Sequence, residues 1–260
     1  MRSTDLNLEP GLPTFDDVVA AANRLAGRAR RTPVLRSERF DARVGRSVFF
    51  KCENLQHIGA FKYRGATNAL LRASETAAGK RVVATHSSGN HGAALARAAR
   101  ELGWRCLVVI PEDASAVKVE AIRAEGAELV RCAPGLIARE AALAELLAQT
   151  DAHVIHPFDD SDVIAGQGTA ALELHLESPG LQCITAPVGG GGLLSGTALA
   201  TRGTVPDCRV IGAEPEVADD AARSFHGGVR VGVTGSPPID PRRPSAIVGG
   251  EPVTPTRTPP

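Results

Sequence analysis

The stretch "RVVATHSSGNHGAALARAARELGWRCLVVI", residues 81–110, carries two different periodicities. Residues 81–86 read as a strand, and "SSGNHG" (87–92) reads as a turn. A helix then runs through Leu102, with Leu95, Ala98, Ala99 and Leu102 at i, i+3, i+4 and i+7 on one face. "RCLVVI" (105–110) is short and nearly all apolar, as expected of a parallel strand buried on both faces. Strand, helix and strand in that order make a βαβ unit.

The same alternation extends outward. Thr14 with Asp17 reads as a variant capping box, opening a helix through Ala29. "SVFFKCE" (47–53) reads as a strand, and a helix follows from about Phe61 to Ala73. Downstream, helices are expected at 116–125, 136–149, 163–176 and 192–201, with strands at 128–132, 153–156, 183–188 and 209–214. The pattern implies an α/β fold of parallel sheets with flanking helices. After about Val231 the composition changes, and residues 232–260 hold eight of the eighteen prolines. That segment shows neither period and few apolar residues, so it is expected to be a disordered tail.

Composition narrows the function classes. The chain has 260 residues, with 29 basic and 29 acidic side chains, so nothing in its charge favours nucleic acid or an anionic membrane. Aromatic residues make up 3%, too few for base-stacking platforms. The five cysteines form no C-x-x-C, and four lie in strand-like runs where buried free thiols are expected. The N-terminus has no apolar secretion segment, and the longest uncharged stretch is broken by prolines and glycines. A soluble, cytoplasmic protein is expected.

Two strand–turn–helix junctions carry the chemistry: "VATHSSGNHGAALARA" (83–98) and "ITAPVGGGGLLSGTALA" (184–200). A helix N-terminus offers unpaired N–H groups and positive potential, so it receives anions. Gly189, Gly190, Gly191 and Gly192 leave only backbone amides facing outward, which suits a phosphate. In a turn that binds nothing, four glycines would waste backbone entropy. "SSGNHG" adds hydroxyl, amide and imidazole groups that suit a carboxylate, although a plain tight turn reads equally well. The quartet is not a Walker A loop, because Leu193 and Leu194 follow it, and it is not G-x-G-x-x-G. Glu214 could still imitate a ribose-binding acid, so a dinucleotide-dependent oxidoreductase stays open. Lys62, in "HIGAFKYRGA" (57–66), sits among small residues. Lysine, phosphate cradle and carboxylate pocket together would suit pyridoxal phosphate (PLP), an aldehyde cofactor carrying a phosphate. Burial would lower the lysine pKa and supply the neutral amine.

Five motifs in order, "GAFKYRGATNAL", "THSSGNHGAALA", "HPFDDSDVIAGQGTAALEL", "APVGGGGLLSG" and "GAEPEVADDA", resemble those of serine/threonine dehydratases and serine racemases. These are PLP enzymes of the tryptophan-synthase β-like fold, and the resemblance covers roughly residues 14–228. It implies a large domain (1–81 and 158–231) and a smaller one (82–157), with the active site between them. Lys62 would be the Schiff-base lysine, Phe61 would pack beside the cofactor, and Asn90 would donate to the pyridine hydroxyl. Gly189 to Gly192 with Leu193 would hold the phosphate. Ser87, Ser88, Asn90 and His91 would hold the substrate carboxylate. Glu214, the carbonyl of Ala218 and Asp220 match a site for Mg²⁺ or Ca²⁺ in racemase-like members. The implied reaction converts L-serine, L-threonine or a related β-hydroxy amino acid to a 2-oxo acid and ammonia. Lys62 would take the α-proton, and Ser88 could serve racemisation from the opposite face.

Relatives in this family continue through further strands and helices, which supply a partner for the pyridine nitrogen. This sequence turns proline-rich instead, so a C-terminally truncated member is expected, homodimeric if the full fold is restored. A non-catalytic remnant is the alternative.

Overall fold

The computed structural model describes residues 11–76, 79 and 81–232, together with the backbone of 245–248. Helix α1 (Phe15–Leu25) opens on the expected capping box: Asp17 accepts the Thr14 N–H at 2.8 Å and returns its own N–H to the Thr14 hydroxyl. It stops short of Ala29, because Ala26 leaves the helical region and Gly27 takes a φ of +73°. Strand β1 (Val34–Leu35) pairs antiparallel with β2 (Phe50–Lys51), and α2 (Glu38–Val44) lies between them. The strand expected over 47–53 thus shrinks to two residues. Helix α2 buries no residue, so the sequence carries no apolar face that would announce it.

Helix α3 (Lys62–Thr76) leads to β3 (Val82–His86), α4 (Asn90–Leu102), β4 (Arg105–Pro111), α5 (Ala116–Ala124), β5 (Glu128–Cys132), α6 (Leu136–Gln149) and β6 (His153–Val154). The four strands form a parallel sheet in the order β5-β4-β3-β6. The face expected for α4 is the packed one: Leu95, Ala98 and Ala99 are buried against Leu70, Val83 and Val108, and Leu102 packs at the rim.

Helix α7 (Ser161–Glu177), β7 (Cys183–Pro187), α8 (Gly192–Thr204) and β8 (Arg209–Pro215) follow, then α9 (Asp220–Gly227). β7 and β8 are parallel, and their core is Val18, Ala171, Leu174, Ile184 and Ala200. Glycines let the helices meet backbone to backbone. A Cβ on Gly166 would stand 2.6 Å from Gly65 Cα, and one on Gly196 would stand 2.4 Å from the Ile164 carbonyl. Side chains at these positions would force α3, α7 and α8 apart, so these glycines serve packing rather than ligand binding.

The segment expected to be wholly disordered departs from that reading at one place. Ser245–Val248 forms β9, antiparallel to β8, which pairs Gly212 to Pro215 along the edge opposite β7. A four-residue run is too short to show a strand period, but β8 offers it an open row of backbone groups. The rest of that tail lies outside the described residues. Of the free thiols, Cys106, Cys132 and Cys208 are buried, whereas Cys52 and Cys183 are only half-buried. Among the described residues no helix is long and apolar enough to cross a membrane.

Candidate active site

Two left-handed residues, Ile58 (φ 57°) and Gly59 (φ 72°), turn the chain just before α3. Lys62 is the first residue of α3. Its Nζ donates to the Pro157 carbonyl at 2.7 Å and lies 5.4 Å from the centre of the Phe61 ring. Burial lowers the Lys62 pKa from 10.5 to about 8, because a half-dry ammonium loses hydration and only a neutral carbonyl replaces it. Two residues on, Arg64 anchors this helical turn. It donates to Glu53 at 2.8 Å, to Glu173 at 2.7 Å and to the Arg30 carbonyl at 3.1 Å. Burial alone would lower the Arg64 pKa, but Glu53 and Glu173 outweigh it and hold the guanidinium charged.

The two glycine turns reach the same region through residues 156–158. The Phe158 ring lies on Gly190, where an added Cβ would come within 2.2 Å of it, and Phe158 also flanks Gly192. Gly191 caps α8 with a φ of +87° and no capping side chain, so the first amides of α8 have no side-chain acceptor. His156 stacks edge-on to Phe158 (4.7 Å) and to His86 (5.2 Å), which ends β3. Beyond His86, Ser87 and Ser88 are half-buried, Asn90 is exposed, and Gly89 precedes α4 as an N-cap with no side-chain bond to offer. His91 is buried and its pKa falls to about 3, first through burial and then through the charge of Lys62. Among the described residues, the buried Nδ1 atoms of His86 and His91 have no hydrogen-bond partner.

These features fit the expected cofactor. A phosphate answers the open amides at α8, and an anion answers those at α4. An aldehyde answers a lysine with a depressed pKa. Leu193 and Phe61 share the wall of an adjoining groove of about 660 Å³ that runs along β7. Sequence reasoning assigned no role to His86, His156, Pro157 or Phe158. The "HPFDD" motif was the available signal, but its residues carry no charge pattern that announces a contact with lysine or glycine.

The expected metal ligands lie around the turn from β8 to α9. Glu214 is buried, and its carboxylate accepts the Ala222 N–H at 2.6 Å and the Ala221 N–H at 3.4 Å, in the first turn of α9. That end of a helix is electropositive, so it favours a carboxylate. Ala218 ends the short turn after β8, and Asp220 opens α9. Among the described residues no three His, Cys, Asp or Glu side chains gather into a metal site.

Comparison with known proteins is consistent with this geometry. Residues 25–257 match the family model described as "Pyridoxal-phosphate dependent enzyme". The chain is 46% identical over 217 residues to the β-hydroxyaspartate dehydratase of Paracoccus denitrificans, covering 84% of this chain and 69% of that one. It is 46% identical over 215 residues to the serine racemase of Dictyostelium discoideum, covering 83% and 66%. It superposes on maize serine racemase with a TM-score of 0.84 at 39% identity, covering 86% and 68%. With the T.th. threonine deaminase the TM-score is 0.79 at 41% identity, covering 86% and 72%. The chain thus spans about two thirds of the length of these relatives. The match ends the dinucleotide alternative, which gave Lys62 no role, and the expected tryptophan-synthase β-like α/β fold holds. By its sequence, its fold and the setting of Lys62, the chain belongs to the pyridoxal-phosphate dependent enzyme family.

Proposed function

We propose that this polypeptide forms the catalytic part of a PLP-dependent ammonia-lyase acting on a β-hydroxy amino acid: L-serine, L-threonine or 3-hydroxyaspartate. The observation that carries the reading is Lys62, half-buried at a helix start, with its amine on the Pro157 carbonyl and its pKa lowered to about 8. The similarity to a β-hydroxyaspartate dehydratase and to serine racemases supports the substrate class.

When bound, PLP supplies electron withdrawal that acidifies the Cα–H of the amino acid. The chain's residues do the rest. The amides of Gly189 to Gly192 and Leu193 bind the phosphate, and Phe61 and Asn90 flank the ring. Ser87, Ser88, Asn90 and the α4 amides hold the substrate carboxylate, and neutral His91 lends the loop a fixed shape. Lys62 would hold the cofactor through its Nζ, and that amine, when free, would accept the Cα proton, which a depressed pKa permits near neutral pH. The β-hydroxyl would leave as water with a proton that balances the one taken from Cα, and hydrolysis of the enamine product would consume one water and give a 2-oxo acid and ammonia. The reaction would occur between a large domain (1–81 and 158–231) and a smaller one (82–157), in a homodimer once the full fold is restored.

Racemisation is the second reading, favoured by the Ser88 hydroxyl in the turn before α4. No step is assigned to a divalent cation.

The test adds PLP to the purified chain, reduces with borohydride and maps the adduct by mass spectrometry. An adduct at Lys62, with ammonia released from one of the three substrates, is the expected result. An adduct confined to other lysines refutes the reading.

A further inference from the structure

The segment that carries Lys62 is pinned on both sides of the lysine to one backbone residue. Before it, the buried Gln56 side chain accepts the Arg30 N–H at 3.0 Å and donates to the Arg30 carbonyl at 2.8 Å. After it, Arg64 donates to the same carbonyl at 3.1 Å. Between these clamps stands Ile58, the one non-glycine residue with a left-handed backbone among the described residues (φ 57°, ψ 10°). A β-branched side chain is disfavoured in that region, so the turn persists only because its surroundings impose it. Gln56 imposes it from two sides. Its side-chain oxygen also accepts the His57 N–H at 3.0 Å, and its own carbonyl accepts the Gly59 N–H at 2.9 Å. Packing holds the rest. His57 reaches the Arg28 carbonyl at 3.1 Å and lies 4.6 Å from the Tyr63 ring, and Ile58 packs against the core that contains Leu95 and Ala98.

We propose that Gln56 is a positioning residue for Lys62: its amide side chain locks the left-handed turn at Ile58 and Gly59, and the locked turn sets the lysine amine on the Pro157 carbonyl. The chemistry requires a carboxamide. One side chain must accept from two N–H groups and donate to a carbonyl, which an ionised carboxylate or an ammonium of similar length cannot do. The place points beyond stability alone. Strained backbone concentrates at working sites, and this turn leads directly into α3, which opens at Lys62. Lysine has a long, flexible stem, so holding its amine on one carbonyl requires that its backbone be fixed first. The inference rests on the proposed role of Lys62 as the working amine, but it concerns where that amine is held, which is read without PLP.

The test uses the full 260-residue chain without PLP. Trace acetic anhydride is applied from neutral to alkaline pH, and mass spectrometry reads the acetylated fraction of Lys62, with the exposed Lys118 as internal reference. In the parent, Lys62 should titrate near the value of about 8 that burial gives it. Gln56→Ala should release the turn, wet the amine and raise its proton affinity roughly tenfold or more, while Lys118 does not move. Leu143→Ala, in the separate core beside α6, should lower the urea midpoint and leave Lys62 unchanged, which separates positioning from loss of stability. Circular dichroism checks that each variant folds, and Gln56→Met, which keeps the side-chain length without the hydrogen bonds, is read beside the alanine variant. Hydrogen exchange on the parent needs no variant: the Arg30 and His57 amides, both bound by the Gln56 oxygen, should exchange as slowly as those inside α3. A folded Gln56 variant whose Lys62 still titrates near the parent value overturns the inference. So do Arg30 and His57 amides that exchange as fast as an open loop. Neither result would touch the borohydride mapping, which tests Lys62 itself.

Discussion

Removing the lysine on which the chemistry depends should stabilise the cofactor-free chain. Lys62 is held with a pKa near 8 against an ordinary 10.5. At ~1.36 kcal/mol for each tenfold in proton affinity, keeping its ammonium in the fold at pH 7 costs about 3 kcal/mol. Lys62→Met keeps the apolar stem and removes the charge. It also removes the hydrogen bond to the Pro157 carbonyl, worth about 1 kcal/mol, so the net gain is about 2 kcal/mol. The sign with pH follows from the depressed value. Between pH 8 and 10.5 the unfolded state binds the proton that the folded state has lost, so the parent gains stability as pH rises. Below pH 8 the cost is fully present, and above 10.5 it is gone. The variant should therefore unfold about 6 °C above the parent at pH 7, and the gap should close by pH 10.5. Urea titrations of parent and variant at pH 7 and pH 10, both without PLP, read this directly. Other groups titrate alike in the two proteins and cancel. A variant less stable at pH 7, or a gap that pH does not change, refutes the view of Lys62 as a strained, desolvated amine.

Gly190→Ala should displace Phe158, lowering stability by about 1–3 kcal/mol and weakening PLP binding at least tenfold, as read by thermal melts and titration of the visible band. Arg64→Ala should leave Glu53 and Glu173 facing an empty site, costing about 3–5 kcal/mol in urea unfolding, whereas Arg72→Ala on the exposed side of α3 should cost less than 1. Ser88→Ala should abolish any racemisation while largely sparing elimination, as measured by chiral chromatography beside ammonia release. Glu214→Ala should lower stability by about 1 kcal/mol in urea unfolding, through loss of its bonds to the first amides of α9.

The sequence disclosed what depends on repeated spacing. The α4 face was readable because Leu95, Ala98 and Ala99 recur at helical intervals, and the βα turns because glycine clusters mark them. The two-residue β1, the α2 that buries no residue and the four-residue β9 have no such recurrence, and each depends on backbone pairing or local capping that composition does not encode. Gly65, Gly166 and Gly196 stood inside recognised motifs, yet their role is interhelical contact, which emerges only when α3, α7 and α8 are placed together. Glu214 was readable only through its spacing to Asp220, while its bonds to the first amides of α9 emerge only when β8 and α9 are placed together.

The charge arrangement around Lys62 explains why its neighbours are what they are. Two helix N-termini, α4 and α8, bring positive potential to the region that residues 156–158 tie together, yet the nitrogen of Lys62 has a carbonyl for a partner rather than a carboxylate. A carboxylate beside Lys62 would stabilise the ammonium and raise its pKa, defeating a base that must work near neutrality. It would also compete for the helix amides that a phosphate or substrate carboxylate requires. The histidines obey the same constraint: His86, His91 and His156 all have pKa values lowered chiefly by burial, and the charge of Lys62 lowers those of His91 and His156 further. The acidic side chains that hold α3 in place, Glu53 and Glu173, sit instead on Arg64, which absorbs their charge. The fold thus separates anchoring from chemistry: carboxylates fix the helix through Arg64, and the Lys62 end of the same helix is left free of resident acids for anions that arrive with the ligands.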